Sequence, residues 1–220
     1  QNVVTNGGTG TNAGQYAHTA SGSDENYNLT FVDGALNIDK ANATVTANSR
    51  DTVYNGQLQS VSGFSVTGLV NGEDASVLDR VTTTGGTGTN AGQYVLTGSG
   101  DDENYDLTFV DGALSIERRA VTVTADDQRK TAGDMDPELT WTTGCGTRDT
   151  DCGLIGGETL TGALARDAGE TAGDYAITQG SLDEAANPNY AIDFVPGTLS
   201  IAPIGAVTGL AAPMAEISIL

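Results

Sequence analysis

One segment of ten residues occurs twice in this chain, and that repeat constrains the fold more than any other feature. Residues 7–16 read GGTGTNAGQY, and residues 85–94 carry the same ten letters. The register then holds without a gap, because residues 29–36 and residues 107–114 are also identical. Chance does not produce such a match, so the chain contains tandem copies of one structural unit.

A third and more diverged copy has AGDY at residues 172–175, NY at 189–190 and FVPGTL at 194–199. Alignment of the copies predicts four segments. These are the C-terminal half of a first repeat at residues 1–40, a complete second repeat at 41–118, a third repeat at 119–202 with an insertion at 144–153, and a non-repeat tail at 203–220.

The half repeat and the short joints bear on the arrangement of the copies. Since the first copy is only half a repeat, we expect the chain to be an internal or C-terminal piece of a larger protein. Short joints limit how far neighbouring repeats swing, which favours a stiff rod. The almost uncharged tail is expected to cover an apolar edge of the array or to add a strand to a partner.

Within each copy the hydrophobic period is two. Residues 105–109 read YDLTF, with apolar and polar side chains in alternation, and this is the pattern of a half-buried strand. Asp111-Gly112 predicts a tight hairpin turn, and Pro196-Gly197 predicts a turn at the same place in the third copy. The best helix candidate, residues 72–78, is long enough for one or two turns. We therefore predict an all-β fold of tandem small β domains, each Ig-like or β-grasp-like, arranged as a rod.

The charge balance excludes some partners. The chain has 9 Lys and Arg against 29 Asp and Glu, for a formal net charge of −20. Such a surface repels nucleic acid and anionic membranes, so neither is expected as a partner. The sequence has no run of about 18 apolar residues, so we expect no membrane insertion.

Several segments carry a family resemblance. Residues 121–140 read VTVTADDQRKTAGDMDPELT, followed by GETLTGAL at 157–164 and NYAIDFVPGTLSI at 189–201. This pattern resembles the MBG repeat, and the second copy, with VYNG at 53–56, resembles its YDG-type relative. Such repeats occur in tandem near the C-termini of large bacterial adhesins, including filamentous-haemagglutinin-like exoproteins of two-partner secretion. The third copy has Ala132 where the motif implies an aromatic residue, so we expect a different packing there.

Both cysteines of the chain, Cys145 and Cys152, bracket the insertion in the third copy. A cysteine pair in a secreted protein is expected to be oxidised, and closing so short a loop stabilises a fold by roughly 2.5 kcal/mol on the chain-entropy estimate. Three roles stay open: a staple for a surface loop, a weak metal site, and a knot. The knot is implied by the resemblance, because a small disulfide loop near the C-terminus of related adhesins retains them at an outer-membrane transporter.

The sequence contains few of the residues and motifs that catalysis requires. The one histidine, His18, corresponds to Leu96 in the second copy, and the chain has no nucleophile elbow, HExxH or phosphate-binding loop motif. We therefore expect that this chain is not an enzyme.

We expect no cofactor, and the alternative is a bound calcium ion. Asp102, Asn104 and Asp106 alternate as calcium ligands do, and Asp24 and Asn26 repeat part of the pattern. Neither segment continues to the glycine and glutamate that an EF-hand loop requires. The simpler interpretation is a solvated acidic turn.

We expect this chain to be a non-catalytic stalk or C-terminal anchoring region of a secreted adhesin on the bacterial cell surface. It would serve attachment or biofilm cohesion, with a glycan or matrix ligand bound elsewhere in the adhesin. The alternative is an array of carbohydrate-binding modules, for which Trp141, the only tryptophan, is the candidate ligand platform.

Overall fold

The structure, a computed structural model, describes residues 2–148 and 150–205. The chain divides into two compact units, Gln1–Glu117 and Arg118–Leu220. The predicted first and second repeats lie in unit 1, and the third lies in unit 2. The expected role of the tail from residue 206 onwards lies outside the described residues.

The regular secondary structure of the described residues is almost entirely β. Unit 1 contains β1 (Asn2–Gly7), β2 (Gly14–Ser23), β3 (Gly34–Ile38), β4 (Ala41–Ala47), β5 (Arg50–Val53), β6 (Gln59–Ser60), β7 (Phe64–Thr67), a 3-10 helix at Ala75–Val77, β8 (Thr82–Gly85), β9 (Thr87–Gly88), β10 (Gly92–Ser99), β11 (Tyr105–Val110) and β12 (Gly112–Glu117). Unit 2 contains β13 (Arg119–Ala125), β14 (Gln128–Thr131), β15 (Trp141–Gly144), β16 (Ala165–Arg166), β17 (Gly173–Thr178), β18 (Tyr190–Val195) and β19 (Gly197–Ala202). The predicted all-β class is confirmed, and the helix candidate at 72–78 contributes a single short 3-10 turn.

The second and third repeats have matching sheets. In the second repeat one sheet has the order β11-β4-β7 and another the order β5-β12-β10-β8, with a small ribbon of β6 and β9. The third repeat has β15-β13-β18 and β14-β19-β17-β16. The second and third repeats are therefore each built mainly from a pair of small sheets, in agreement with the predicted tandem small β domains.

Two parallel ladders join the beginning of each repeat to its end. In the second repeat Tyr105 pairs with Ala41 at the start of β4, and Leu114 pairs with Arg50 at the start of β5. The sequence offset between paired residues is the same in both ladders, so residues 41–53 and 105–117 run side by side. Both segments pass from one sheet to the other at the same point. The third repeat does the same, with β18 beside β13 and β19 beside β14.

The predicted hairpin at Asp111-Gly112 is wrong. β11 and β12 lie in different sheets, and only Asp111 separates them. Gly112 serves a close approach rather than a left-handed turn, because a Cβ there would lie 2.2 Å from the carbonyl oxygen of Asn48. Pro196-Gly197 marks the same change of sheets in the third repeat, since β18 and β19 are not paired.

The core lies where the two sheets of a repeat meet. In the third repeat Ala125 of β13 packs in one cluster with Ile177 and Leu199 of the second sheet. In the second repeat the Phe109 ring of β11 lies against Gly98 of β10, where a Cβ would be 3.0 Å away from it. Burying these alternating apolar side chains supplies most of the stability of such a fold.

The repeated GGTGTNAGQY motif packs a tyrosine ring onto a glycine. A Cβ on Gly10 would lie 2.1 Å from the Tyr16 ring, and one on Gly88 would lie 2.2 Å from the Tyr94 ring. The hydroxyl of each tyrosine donates a hydrogen bond of 2.9 Å to the carbonyl oxygen four residues earlier. In the third repeat Tyr175 makes the same bond to Thr171, which explains why its AGDY segment keeps the tyrosine.

The second and third repeats differ in packing at the aromatic position of the family motif, as expected from the alanine in the third repeat. Tyr54 of the second repeat is 4% exposed. At the corresponding place Ala132 is only partly buried, and it packs with Leu139 and Leu164 against the core of the third repeat.

The first repeat shows what happens without a parallel partner. β1, β2 and β3 form an antiparallel sheet, but residues 29–32 form no strand although 107–110 have the same sequence and lie in β11. The described residues contain no counterpart of β4 for the first repeat. As a result Tyr27 is 73% exposed, whereas the equivalent Tyr105 is 4% exposed.

Gly112 and Gly34 offer a matched test of the change of sheets, since they occupy the same place in identical segments. Only Gly112 lies close to the backbone of a neighbouring segment; a Cβ on Gly34 would meet nothing closer than the His18 carbonyl oxygen, at 3.9 Å. We expect Gly112→Ala to lower the free energy of unfolding of unit 1 by roughly 1–3 kcal/mol, as overpacking does. Gly34→Ala should change it by less than about 0.5 kcal/mol. Chemical denaturation followed by circular dichroism measures both, and equal effects would contradict the explanation.

Candidate functional site

The most distinctive local feature of the third repeat is the segment 145–152, called here the cysteine loop. Cys145 and Cys152 form a disulfide with Cα atoms 5.1 Å apart. The loop leaves the end of β15, turns through a hydrogen bond from the Arg148 amide to the Cys145 carbonyl, and returns at Cys152, which is 8% exposed. The loop is therefore fastened into the repeat at its second cysteine.

Arg119, at the start of β13, anchors the end of the loop. Its guanidinium donates hydrogen bonds to the carbonyl oxygens of Cys152 and Gly153, at 2.8 and 3.0 Å. It also lies 3.8 Å from the Asp151 carboxylate, and its side chain is 16% exposed. A bridge between Ala120 and Cys152 and a hydrogen bond from Gly153 to Ala120 complete the attachment.

The loop also covers part of the outer face of the sheet. A Cβ on Gly146 would lie 2.6 Å from the Thr122 hydroxyl, so the loop backbone packs closely on β13. Beside it lies an open cavity of about 240 Å³, whose lining includes Thr122, Arg148, Glu184 and Asp193. These groups could form hydrogen bonds with a polar molecule, but the Cys145 sulfur in the wall is oxidised and cannot act as a nucleophile.

The calcium candidates have structural uses. The Asp102 carboxylate accepts hydrogen bonds from the amides of Asn104 and Tyr105, and Asp24 accepts one from the Asn26 amide. The Asn104 side chain accepts a hydrogen bond from the Ala13 amide. Asp106 is an exposed residue of β11. Among the described residues, no group of three or more His, Cys, Asp and Glu side chains could hold a metal ion.

Two further candidates from the sequence, Trp141 and His18, lie in β15 and β2. Trp141 is the first residue of β15, is half-buried and pairs with Ala125. His18 is an exposed residue of β2, and its ring lies against Gly8. Trp141 does not line the cavity beside the cysteine loop.

Sequence reasoning missed a cluster of four charged residues in the third repeat, called here the ion cluster. Lys130 of β14 contacts Asp136 at 2.6 Å and Glu170 at 2.5 Å, and its side chain is 3% exposed. Arg166 of β16 bridges the same two carboxylates and lies 5.8 Å from the centre of the Tyr175 ring. In the second repeat the residues at the positions of Lys130 and Arg166 are Thr52 and Gly85, so the ion cluster belongs to one repeat only.

The charges of the ion cluster shift one another's pKa values. Hydrogen bonds from Arg166 and then Lys130 lower the pKa of Asp136, and those from Lys130 and then Arg166 lower the pKa of Glu170. Hydrogen bonds to Asp136 and Glu170 raise the pKa of Lys130. The cluster thus holds all four groups in their charged forms at neutral pH.

A second repeated feature joins a tyrosine to a turn. The Tyr105 hydroxyl donates to the Glu73 carboxylate at 2.5 Å and accepts a hydrogen bond from the Val70 amide. Tyr190 does the same with Glu158 and Ile155 in the third repeat. The hydrogen bond to Glu73 is the main cause of the raised pKa of Tyr105.

The comparison with known families agrees with this structure. Residues 43–115 and 121–200 each match the MBG domain (YGX type), and together they cover more than half of the chain. The chain therefore belongs to the MBG domain family. Both repeats match the YGX type, including the second, for which the sequence suggested the YDG type. No curated protein matches the chain. No helix among the described residues is long and apolar enough to cross a membrane.

The ion cluster predicts a pH dependence for unit 2. A carboxylate whose pKa is lowered on folding stabilises the fold above its unfolded pKa, and this stabilisation is lost as the pH falls through the folded pKa. We therefore expect unit 2 to lose stability as the pH is lowered from about 5 through the depressed pKa values of Asp136 and Glu170. Arg166→Met should raise both pKa values towards the ordinary 3.8 and 4.5.

Carbon-detected NMR titration of the two carboxyl groups measures this change. Arg129→Met is the matched control, because Arg129 is an exposed neighbour of Lys130 in β14. If Arg166→Met leaves both titrations where they were, the ion cluster does not act as described.

Proposed function

We propose that this chain is a non-catalytic stalk or anchoring region of a secreted bacterial adhesin. It works outside the cell, at the bacterial surface, and carries load between the cell and an adhesive part made elsewhere in the polypeptide. That other part binds the glycan or matrix ligand, and the result is attachment or biofilm cohesion. Membership of the MBG domain family and the tandem arrangement of two such domains support the proposal.

The observation that carries the proposal is the parallel pairing of the two ends of a repeat. In the second repeat residues 41–53 and residues 105–117 lie side by side in one register. A pull on Ala41 and Glu117 draws the two segments past each other along their axes. The load then falls on all hydrogen bonds of the two ladders together, instead of opening them one at a time.

The signature residues of the repeat support the same role. Tyr94 packs on Gly88, Asp102 holds the turn before β11, and Tyr105 holds the turn at Glu73. These interactions hold turns and strand ends in place, so the residues that define the repeat serve its rigidity. A chain selected to transmit force needs such connections at the ends of its strands.

Single-molecule force spectroscopy tests the mechanical role. With handles at the two ends of the chain, we expect two major unfolding steps, one for each complete repeat. Reducing the disulfide should lengthen the step of unit 2 by about 20 Å, because seven positions of extended chain at roughly 3.5 Å each replace the 5.1 Å between the bridged Cα atoms.

The control changes only the direction of the load. Handles at Ala41 and Thr67 pull on neighbouring ends of the antiparallel pair β4 and β7 and peel that ladder open. We expect the second repeat to unfold at a clearly lower force in this arrangement. Equal forces in the two arrangements would show that the parallel ladders do not carry the load, and would contradict the stalk proposal.

The cysteine loop is the candidate contact for an outer-membrane transporter of two-partner secretion, and its geometry favours the simpler role of a staple. Arg119 and Ala120 fasten its end to β13, and Cys152 is buried. We expect C145S/C152S to lower the free energy of unfolding of unit 2 by about 2.5 kcal/mol. In the bacterium that makes the protein, the share of adhesin on the cells should stay unchanged. If the variant instead releases folded adhesin into the medium, the intact cysteine loop retains the adhesin on the cell.

A further inference from the structure

The contact between the first and second repeats of unit 1 is made by a turn that the sequence had suggested for calcium. The Asn104 side chain accepts a 2.9 Å hydrogen bond from the amide of Ala13, which lies in the loop before β2. Lys40, in the joint between the repeats, donates a 2.6 Å hydrogen bond to the carbonyl oxygen of Asp102. The Ala41 amide donates to the carbonyl oxygen of Asn104. Residues 102–104 therefore touch the chain before the second repeat at two points, Ala13 and Lys40, and are tied to the start of β4 at Ala41.

The turn is held in shape by its own repeat. The Asp102 carboxylate accepts hydrogen bonds from the amides of Asn104 and Tyr105, at 2.7 and 3.1 Å. The Tyr105 hydroxyl in turn donates to Glu73. These bonds fix the backbone before β11 and leave the Asn104 side chain to reach outward. A side chain placed by a rigid turn forms a directional contact at a low cost in conformational entropy.

The first repeat depends on this contact more than the second does. None of the residues 2–40 is buried, so its sheet has little apolar burial of its own. A small sheet without a buried apolar face is marginally stable by itself. Beside the contact lies a cavity of about 120 Å³, to which Asn12, Ala13 and Ile38 contribute from the first repeat and Val70, Glu73 and Tyr105 from the second.

We propose that residues 102–105 form a docking site for the preceding repeat, with the Asn12–Gly14 loop as its partner and Asn104 as the residue that sets the orientation. The inference deepens the proposed stalk function, since a stalk needs joints that resist bending. It assigns the alternating Asp102 and Asn104 to contact between repeats. The Asn-Ala-Gly segment of the repeated motif supplies the amide that the asparagine recognises.

Asn26 gives a matched control within the same chain. It follows Asp24 as Asn104 follows Asp102, and its amide also donates to that aspartate. Its side chain is exposed. Asn104→Ala and Asn26→Ala therefore remove the same side chain from the same kind of turn, but only the first removes a contact between repeats.

The test uses the full chain labelled with ¹⁵N. In the wild type and in Asn26→Ala we expect the Ala13 amide to be protected from hydrogen exchange. Asn104→Ala should speed its exchange roughly tenfold, the factor that corresponds to one hydrogen bond. Residual dipolar couplings report orientation: residues 2–38 and 43–117 should fit one alignment tensor in the wild type and require two in Asn104→Ala.

A conservative variant separates the contact from a general loss of structure. Asn104→Asp keeps an oxygen acceptor and should keep both the Ala13 protection and the single tensor, while amides of β4 and β12 stay protected in every variant. The proposal is overturned if Asn104→Ala keeps Ala13 protected with one tensor, or if Asn26→Ala has the same effect. Either result leaves the stalk proposal to the force measurement, which tests the ladders within a repeat.

Discussion

The parallel ladder between the first and the last segment of a repeat is the interaction on which the rest of the structure depends. It joins residues 41–53 to residues 105–117 in unit 1, and β13 and β14 to β18 and β19 in unit 2. Parallel strands cannot be joined by a tight turn, so everything between the two segments forms the connection. Because the most distant parts of the repeat pair with each other, the repeat is complete only when both are present.

Close packing against glycine follows from this arrangement. Both segments change sheets at one level, where Gly112 approaches the backbone at Asn48 and Gly197 approaches Ala125. Further along, Gly88 and Gly169 make room for the rings of Tyr94 and Tyr175. The abundance of glycine in this chain therefore reflects close contacts as well as turns, and the repeated tyrosine and glycine are parts of one packing unit.

Much of the fold could be predicted from local pattern and self-comparison, since alternation and repetition are properties of the sequence itself. The all-β class, the tandem copies and the Cys145–Cys152 disulfide follow in this way. The hairpin at Asp111-Gly112 could not be judged locally, because a glycine looks the same whether it permits a left-handed turn or a close approach. The ion cluster had no local signal either, since Lys130 and Arg166 reach the same two carboxylates only after β14 and β16 are placed in one sheet.

Hydrogen exchange of two identical segments tests the parallel ladder most directly. Residues 29–32 and 107–110 share the sequence LTFV, but only the second segment pairs with a strand, β4. If pairing decides the structure, the alternate amides of 107–110 that face β4 should exchange slowly. Those of 29–32 should exchange near the rate of an unstructured chain. Equal protection of the two segments would contradict the account, because the sequence would then form its strand without the parallel partner.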